Sequence, residues 1–360
     1  MKYFEHSGER SIAAFAIAAI LILVVPAFDN LYLTSILTSV LMFAVPAMGA
    51  WLLLNTGIWS FGQGAWALLG SYLTTLTVMK LDLSFWLALP LAAVATGVIS
   101  WLAASVMLRA SGVTFAILSL VVLLTVNQLI TLFPDITNGQ SGIIGVPMPP
   151  PLGIGPLSVS MSDPTALYYL IGVITVIVLG WLVLIWRSPF ARVLMSIRDE
   201  PALAASLGVP VRHYQATVFA LAGSWTALAG GFSATYLSVA HPAVWYIFPS
   251  IFIVAYAIIG GIRSPYGALV GSALVIGAGE LFRFAENLQP LLVGLGLVIV
   301  SIFLPTGVLG IIVQLARRVV PGLRRPGKED ETGPADSSRG STAVGGPELT
   351  KLSTNTKDEG

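Results

Sequence analysis

Apolar residues run along this chain in long blocks separated by short polar stretches, the pattern of membrane-crossing helices and not of alternating strands. The blocks predict helices over about 12–28, 31–54, 58–79, 84–108, 112–133, 165–186, 215–238, 246–261, 266–283 and 289–313, ten crossings in all. An apolar run of 18 or more residues is long enough to span a bilayer as a helix, which satisfies its own backbone hydrogen bonds in lipid. The expected fold class is an all-α integral membrane protein: a polytopic helical bundle of about ten membrane segments, some broken or re-entrant, with a short cytoplasmic helix. One interruption is Asn55-Thr-Gly-Ile-Trp-Ser-Phe-Gly-Gln-Gly64, where a helix is expected to enter only part-way. Another is Gly260-Gly-Ile-Arg-Ser-Pro-Tyr-Gly267, a tight turn between two helices or a second break.

The polar stretch 187–214 carries its own element. Asp199 to Gly208 reads as a short helix with stop and start signals at both ends. Asp199 or Glu200 is placed to cap the first turn, and Pro201 is tolerated there because its missing N–H would be unpaired anyway. Gly208 suits the left-handed residue that ends a helix, and Pro210 prevents continuation. The rod is about 10 Å long, too short to cross a bilayer. Leu203 and Leu207 form one apolar stripe beside a shallow flank of Ala204 and Ala205. Such a helix in water presents knobs to a partner protein.

Composition sharpens the class. Only 10% of residues are charged and 56% are hydrophobic, against about 25% charged in a soluble domain; mean hydropathy is +0.87. The net charge of +1 suggests no nucleic-acid partner. Its distribution orients the chain. With the N-terminus inside, Lys2, Arg10, Arg109, Arg187, Arg192, Arg198, Arg212, Arg263, Arg317, Arg318, Arg324 and Arg325 face the cytoplasm, and only Lys80 and Arg283 face out. The expected organisation is a cytoplasmic N-terminus (1–11), a transmembrane domain (12–315) and a cytoplasmic tail (316–360). The 134–164 loop lies outside and the 187–214 loop inside. Gly, Ser, Thr, Pro and charges dominate the tail, which reads as disordered. Lys2, Arg10 and the apolar run to Val25 read as a first membrane helix, without a compelling cleavage pattern.

Chemistry is sparse. With no cysteine and three scattered histidines (His6, His213, His241), thiolate and zinc sites are not expected. Phosphate-binding loops, nucleophile elbows and metalloprotease helices are missing, which argues against an enzyme. Polar residues at membrane depth remain. Asn55, Thr56, Ser60 and Gln63, with Gly57, Gly62 and Gly64, either line a pathway beside a broken helix or let helices pack closely. Asn127 and Gln128 favour an interhelical hydrogen bond. The loop Thr137 to Pro147, with Asn138, is an external turn or an entrance. Glu280, Arg283 and Glu286, spaced i, i+3, i+6, favour mutual pairing over docking of an external protein.

Four stretches, in order, resemble the LivM-type permease subunits of ABC importers for branched-chain amino acids. They are Leu53 to Tyr72; Arg109 to Leu120 (with Thr114) running on to Thr137–Pro147; Ser188 to Val209; and Gly260–Gly271 with the closing Leu304-Pro-Thr-Gly-Val-Leu-Gly310. The resemblance covers about residues 12–315, and the third stretch is the most specific. It implies a bacterial inner-membrane subunit that pairs with a second permease, two cytoplasmic ATP-binding subunits and an external substrate-binding protein. ATP and magnesium would sit on the partner, and this chain would hold no cofactor. The segment Arg198, Asp199, Glu200, Leu203, Ala204, Ala205, Leu207, Gly208 would be the ATPase-coupling element. The candidate pathway residues are Asn55, Ser60, Gln63, Thr114, Asn127 and Asn138. The implied cargo is branched-chain or other small neutral amino acids. Gln63 stands where the family often has histidine, and Arg263 where it usually has glycine; urea and short-chain amide permeases share the pattern and are the alternative cargo class. An ion-coupled carrier is the rival of another class, and would usually show a buried mid-span Asp, Glu or Lys.

Overall fold

The computed structural model describes residues 30–110, 112–151, 160–161, 163–283, 294–295 and 307–308. The expected helices over 12–28 and 289–313, both chain ends and Glu286 lie outside or almost wholly outside the described residues. Within them the chain is helical: α1 (Leu31–Leu54), α2 (Gln63–Lys80), α3 (Phe85–Met107), α4 (Gly112–Leu132), α5 (Pro134–Thr137), α6 (Pro164–Arg187), α7 (Pro189–Asp199), α8 (Pro201–Ser206), α9 (Val211–Tyr236), α10 (Ile247–Gly260) and α11 (Gly267–Leu281). Two short strands, β1 (Ile143–Ile144) and β2 (Val239–Ala240), pair antiparallel with Ile143 opposite Ala240.

Among the described residues, five segments are long and apolar enough to cross a membrane: 31–54, 85–107, 112–132, 164–187 and 242–260. They make this a multi-pass membrane protein. The crossings expected over 58–79 and 215–238 correspond to α2 and α9, which do not reach that standard of hydropathy. The reason is that protein, not lipid, covers them. α9 packs on α3, α2 and α1 and occupies the centre of the bundle. Along α9, Gly, Ala, Ser and Thr replace the branched apolar residues that α4 and α6 turn outward, such as Ile117, Val121, Ile177 and Leu184. At the tightest crossing Gly230 faces the Ala67 carbonyl of α2 so closely that a β-carbon has no room.

α1 is enclosed by α9, α6, α11 and α10. It starts on a side-chain cap, Asn30 Oδ1 accepting from the amides of Tyr32 (3.1 Å) and Leu33 (3.3 Å). The turn expected after Gly260 is a turn, since α10 and α11 pack directly on each other across it.

The bundle has two unlike ends. One gathers the end of α1, the α3–α4 junction, the 187–215 stretch and the turn after α10, and so collects Arg109, Arg187, Arg192, Arg198, Arg212 and Arg263. The other holds Lys80, the 133–151 loop and β2, tied together by Lys80 Nζ donating to the Asp135 carbonyl (3.4 Å) and Trp86 Nε1 to the Pro150 carbonyl (3.2 Å). Arg283 donates to Glu280 at 2.7 Å, the expected i, i+3 pairing.

Candidate functional site: a helix break and the arginine-bearing loop beside it

α1 stops at Leu54 and α2 starts only at Gln63, so an eight-residue non-helical segment lies between them, buried at Asn55, Thr56, Ile58, Ser60 and Gly62 and exposed at Gly57 and Trp59. The expected helix start at 58 is corrected to 63. Gly57 and Gly62 break the helical path, and the freed backbone groups find partners from other elements. The Phe61 amide donates to Ser119 Oγ of α4 (2.9 Å), and the Gly64 amide to Ser250 Oγ of α10 (3.0 Å). This is how non-helical backbone survives at membrane depth.

Side chains of the break turn inward. Ser60 and Gln63 are buried, and Gln63 Oε1 accepts from Thr226 Oγ1 of α9 at 3.0 Å. Ser60 Oγ, Gln63 Nε2 and, one turn on, Trp66 Nε1 are buried without a protein partner. Three such groups in succession form a polar seam at the start of α2, where uncompensated burial normally costs about 1–3 kcal/mol per group. Thr226→Val would leave Gln63 Oε1 without its donor as well. The expected result is a loss of about 1–3 kcal/mol, read as a lower melting temperature in detergent, with Thr226→Ser unchanged.

Beside the break lies the 187–214 loop. It contains α7, an element that the sequence reading folded into one loop; α7 buries Ala191, Leu194 and Ile197 on one face. The rod that follows is α8, which lies inside the expected Asp199–Gly208 stretch with Pro201 as its first residue. Gly208 ends it in the left-handed region (φ +86°). The expected side-chain cap is corrected: Glu200 occupies the N-cap position but makes no cap hydrogen bond. Asp199 is the last residue of α7, and glutamate is poorly suited to the short reach that favours Ser, Thr, Asp and Asn. Leu203 and Leu207 are 58% and 77% exposed, whereas Ala204 is buried. Asp199, Glu200, Ala205 and Gly208 are exposed.

One side chain ties loop to break. Arg198, at the end of α7, donates from Nη1 to Asn55 Oδ1 at 3.1 Å. Asn55 in turn donates from Nδ2 to the carbonyls of Trp51 (2.9 Å) and Ile262 (3.2 Å). Gln215 Nε2 donates to the Thr56 carbonyl at 3.4 Å. Between loop, break and the start of α4 opens a cleft of ≈ 800 Å³, walled by Ile58, Trp59, Phe115, Ile197 and Val211 and edged by Arg198, Arg212 and His213.

Of the six candidate pathway residues, Asn55, Ser60 and Gln63 share the break. Thr114 is exposed on the first turn of α4. Asn127 donates to the Pro242 carbonyl (3.2 Å), an inter-element bond of the kind expected. Asn138 is exposed in a left-handed turn (φ 58°) at the opposite end. The structure therefore brings three of the six together and leaves three apart. Sequence reasoning missed Ser119, Thr226 and Ser250; lone hydroxyls in apolar helices were their only signal. Among the described residues, no group of three or more His, Cys, Asp or Glu is placed to hold a metal ion.

The chain is 24% identical over 272 residues to "High-affinity branched-chain amino acid transport system permease protein LivM" of Escherichia coli (strain K12), covering 71% of this chain and 64% of that protein. The same figures hold for LivM of Salmonella typhimurium. It is 27% identical over 229 residues to "Probable branched-chain amino acid transport permease protein LivH" of Methanocaldococcus jannaschii, covering 62% of this chain and 70% of that one. The match thus spans a little under two thirds of the LivM relatives' length. No solved structure matches. The family model "Branched-chain amino acid transport system / permease component" matches residues 32–301, a stretch that contains the break, the exposed rod and the bond between them, and the chain belongs to that family of permeases, not to a family of enzymes.

Proposed function

We propose that this chain is the membrane-spanning permease subunit of an ABC importer that carries branched-chain or other small neutral amino acids inward. Its energy comes from ATP hydrolysed, with magnesium, on two cytoplasmic partner subunits. A second permease completes the pathway, and an external binding protein delivers the cargo. The observation that carries this reading is the rod α8: two leucines at i, i+4 stand in the open, on a loop whose Arg198 reaches the broken helix. Exposed apolar knobs on a short helix bounded by Pro201 and Gly208 suit a partner surface. The relatives' names, permeases of branched-chain amino acid transport, supply the cargo class.

Orientation follows from charge. Six arginines at the end that bears the rod, against Lys80 and Arg283 at the other, support a topology with the rod and both termini on the cytoplasmic side of a bacterial inner membrane. The polar seam of Ser60, Gln63 and Trp66 beside the break is the stretch of the pathway this chain contributes. Its lack of fixed charge suits a zwitterionic cargo that must also leave. A buried mid-span carboxylate or lysine, which would favour an ion-coupled carrier, is not found among the described spans.

Purification of the chain from its native membrane is expected to bring along an ATP-binding subunit and a second permease of the same family. Proteoliposomes holding that assembly and a binding protein should accumulate leucine only with Mg-ATP. Accumulation by this chain alone, without nucleotide, would overturn the reading.

A further inference from the structure

We propose that Arg198 and Asn55 are the positioning pair through which displacement of the cytoplasmic rod is delivered to the helix break. The inference rests on the function proposed above and assigns to two residues a task that the family relationship leaves without an address.

The geometry is specific. Asn55 is the last stop of α1, 1% exposed, and every polar atom of its side chain is engaged. Its Nδ2 donates to the carbonyls of Trp51, in its own helix, and Ile262, in the turn that joins α10 to α11; its Oδ1 accepts from Arg198. Three elements far apart in sequence therefore converge on one amide: the end of α1, the α10–α11 turn and the α7–α8 loop. A second bond, Trp51 Nε1 to the Gly261 carbonyl at 3.3 Å, locks α1 to the same turn. The α1 end and the turn thus form one rigid anchor. The Arg198 side chain crosses from that anchor to the loop that bears the rod.

The contact is also adjustable. Arg198 is exposed and long, so the guanidinium can follow α7 or let go without unpacking a core. A charge-assisted hydrogen bond is stronger than the neutral bonds around it, yet at an exposed site it is not so strong that it cannot break. On its loop side Arg198 is joined to Pro201 through only Asp199 and Glu200, so a rigid-body shift of α8 moves it directly. On its break side Asn55 is followed at once by Thr56 and Gly57, which leads to Ile58, Trp59 and buried Ser60. Gln215, donating to the Thr56 carbonyl, ties the start of α9 to the same spot. When the loop moves, the lip of the ≈ 800 Å³ cleft moves with it, because Gly57, Ile58, Trp59 and Arg198 all line it. Thr56, Gly57 and Ile58 still bond back to the last turn of α1, whereas the Phe61 amide beyond them is held by the Ser119 hydroxyl, so a small displacement acts on a segment without a continuous helical ladder.

The absence of any native cysteine makes the test direct. Ser60→Cys places a single thiol, nearly isosteric, at a position 3% exposed; its labelling rate by a small maleimide in native membrane vesicles reports opening of the break. Arg198→Ala, a change at an exposed residue that leaves the core packed, is expected to raise that rate about tenfold, the equilibrium shift that one charge-assisted hydrogen bond supplies. Asn55→Ala, which also takes the Nδ2 bonds from the Trp51 and Ile262 carbonyls, should raise the rate at least as much, and the double variant should be no faster than Asn55→Ala alone, since the Arg198 bond is already gone in it. Arg192→Ala, which removes an equal charge from the same helix, should leave the rate unchanged. In vesicles holding the assembled transporter, Mg-ATP with vanadate should change the labelling rate when Arg198 is present and leave it unchanged in Arg198→Ala. A labelling rate insensitive to Arg198→Ala, additive effects of the two substitutions, or an undiminished nucleotide response without Arg198 would each overturn the pairing. Failure of the importer reading is seen separately, as vesicles in which no ATP-binding subunit accompanies the chain; the nucleotide-free labelling still decides whether the pair holds the break.

Discussion

Leu203→Asp combined with Leu207→Asp is expected to lower amino-acid uptake by at least about a hundredfold while the protein still inserts and stays folded. The two leucines are 58% and 77% exposed, so their removal takes little apolar surface out of the bundle. Substitutions at such surface positions usually leave stability within about half a kcal/mol. A partner groove sees the opposite. Each lost anchor typically costs about 1–3 kcal/mol of binding, and two carboxylates pushed into an apolar groove add the cost of charge without a counter-ion. Every 1.4 kcal/mol is about tenfold, so the pair exceeds a hundredfold in occupancy of the coupled state. Uptake of radiolabelled leucine, normalised to the amount of chain in the membrane, measures it. Near-normal uptake would mean that α8 docks on nothing that powers transport.

Gly230→Val is expected to do the reverse: to destroy the bundle before transport can be asked about. At Gly230 the backbone of α9 passes the Ala67 carbonyl of α2 at a separation that leaves no space for a β-carbon, and Gly70 meets Ala227 in the same way a turn along. A branched side chain must therefore drive the two central helices apart. Overpacking of a rigid core costs about 1–3 kcal/mol, occasionally more. Here the neighbour that would have to yield is backbone, and the separation would also stretch the nearby Thr226–Gln63 bond. A loss of about 3 kcal/mol or more follows, enough to unfold a marginal protein. The measurement is the yield of monodisperse protein in detergent and its melting temperature. Gly277→Ala serves as the control, because a β-carbon there meets nothing within 4 Å. Equal yield from Gly230→Val and wild type would show that α2 and α9 do not cross as described.

How far each feature was legible depends on whether its cause is local. The α8 rod is local: Pro201 at its first position, Gly208 in the left-handed region and Pro210 beyond it act through neighbouring backbone alone. The break at 55–62 was legible for the same reason, glycines and an asparagine inside an apolar run. The capping role given to Asp199 or Glu200 failed because α7 extends to Asp199, and that extension is held by Ala191, Leu194 and Ile197 packing inward, which no local signal shows. The six candidate pathway residues were chosen by one property, polarity near an apolar helix. That property cannot tell Gln63, which meets Thr226 in the centre, from Thr114, which faces outward two residues after the start of α4.

By itself the sequence determined that this chain is a helical membrane protein, where most helices begin and end, and which end of the bundle is basic. Those properties come from backbone groups that lipid refuses to solvate and from charges that stay at the surface, both readable one segment at a time. Only the tertiary structure decided that α9 runs through the middle, that α2 crosses it at glycine distance, and that Arg198 meets Asn55 across 143 residues of chain. Contacts of that kind depend on the relative placement of whole helices, and a helix's own composition says only that it has small residues or hydroxyls to offer, not which neighbour will take them.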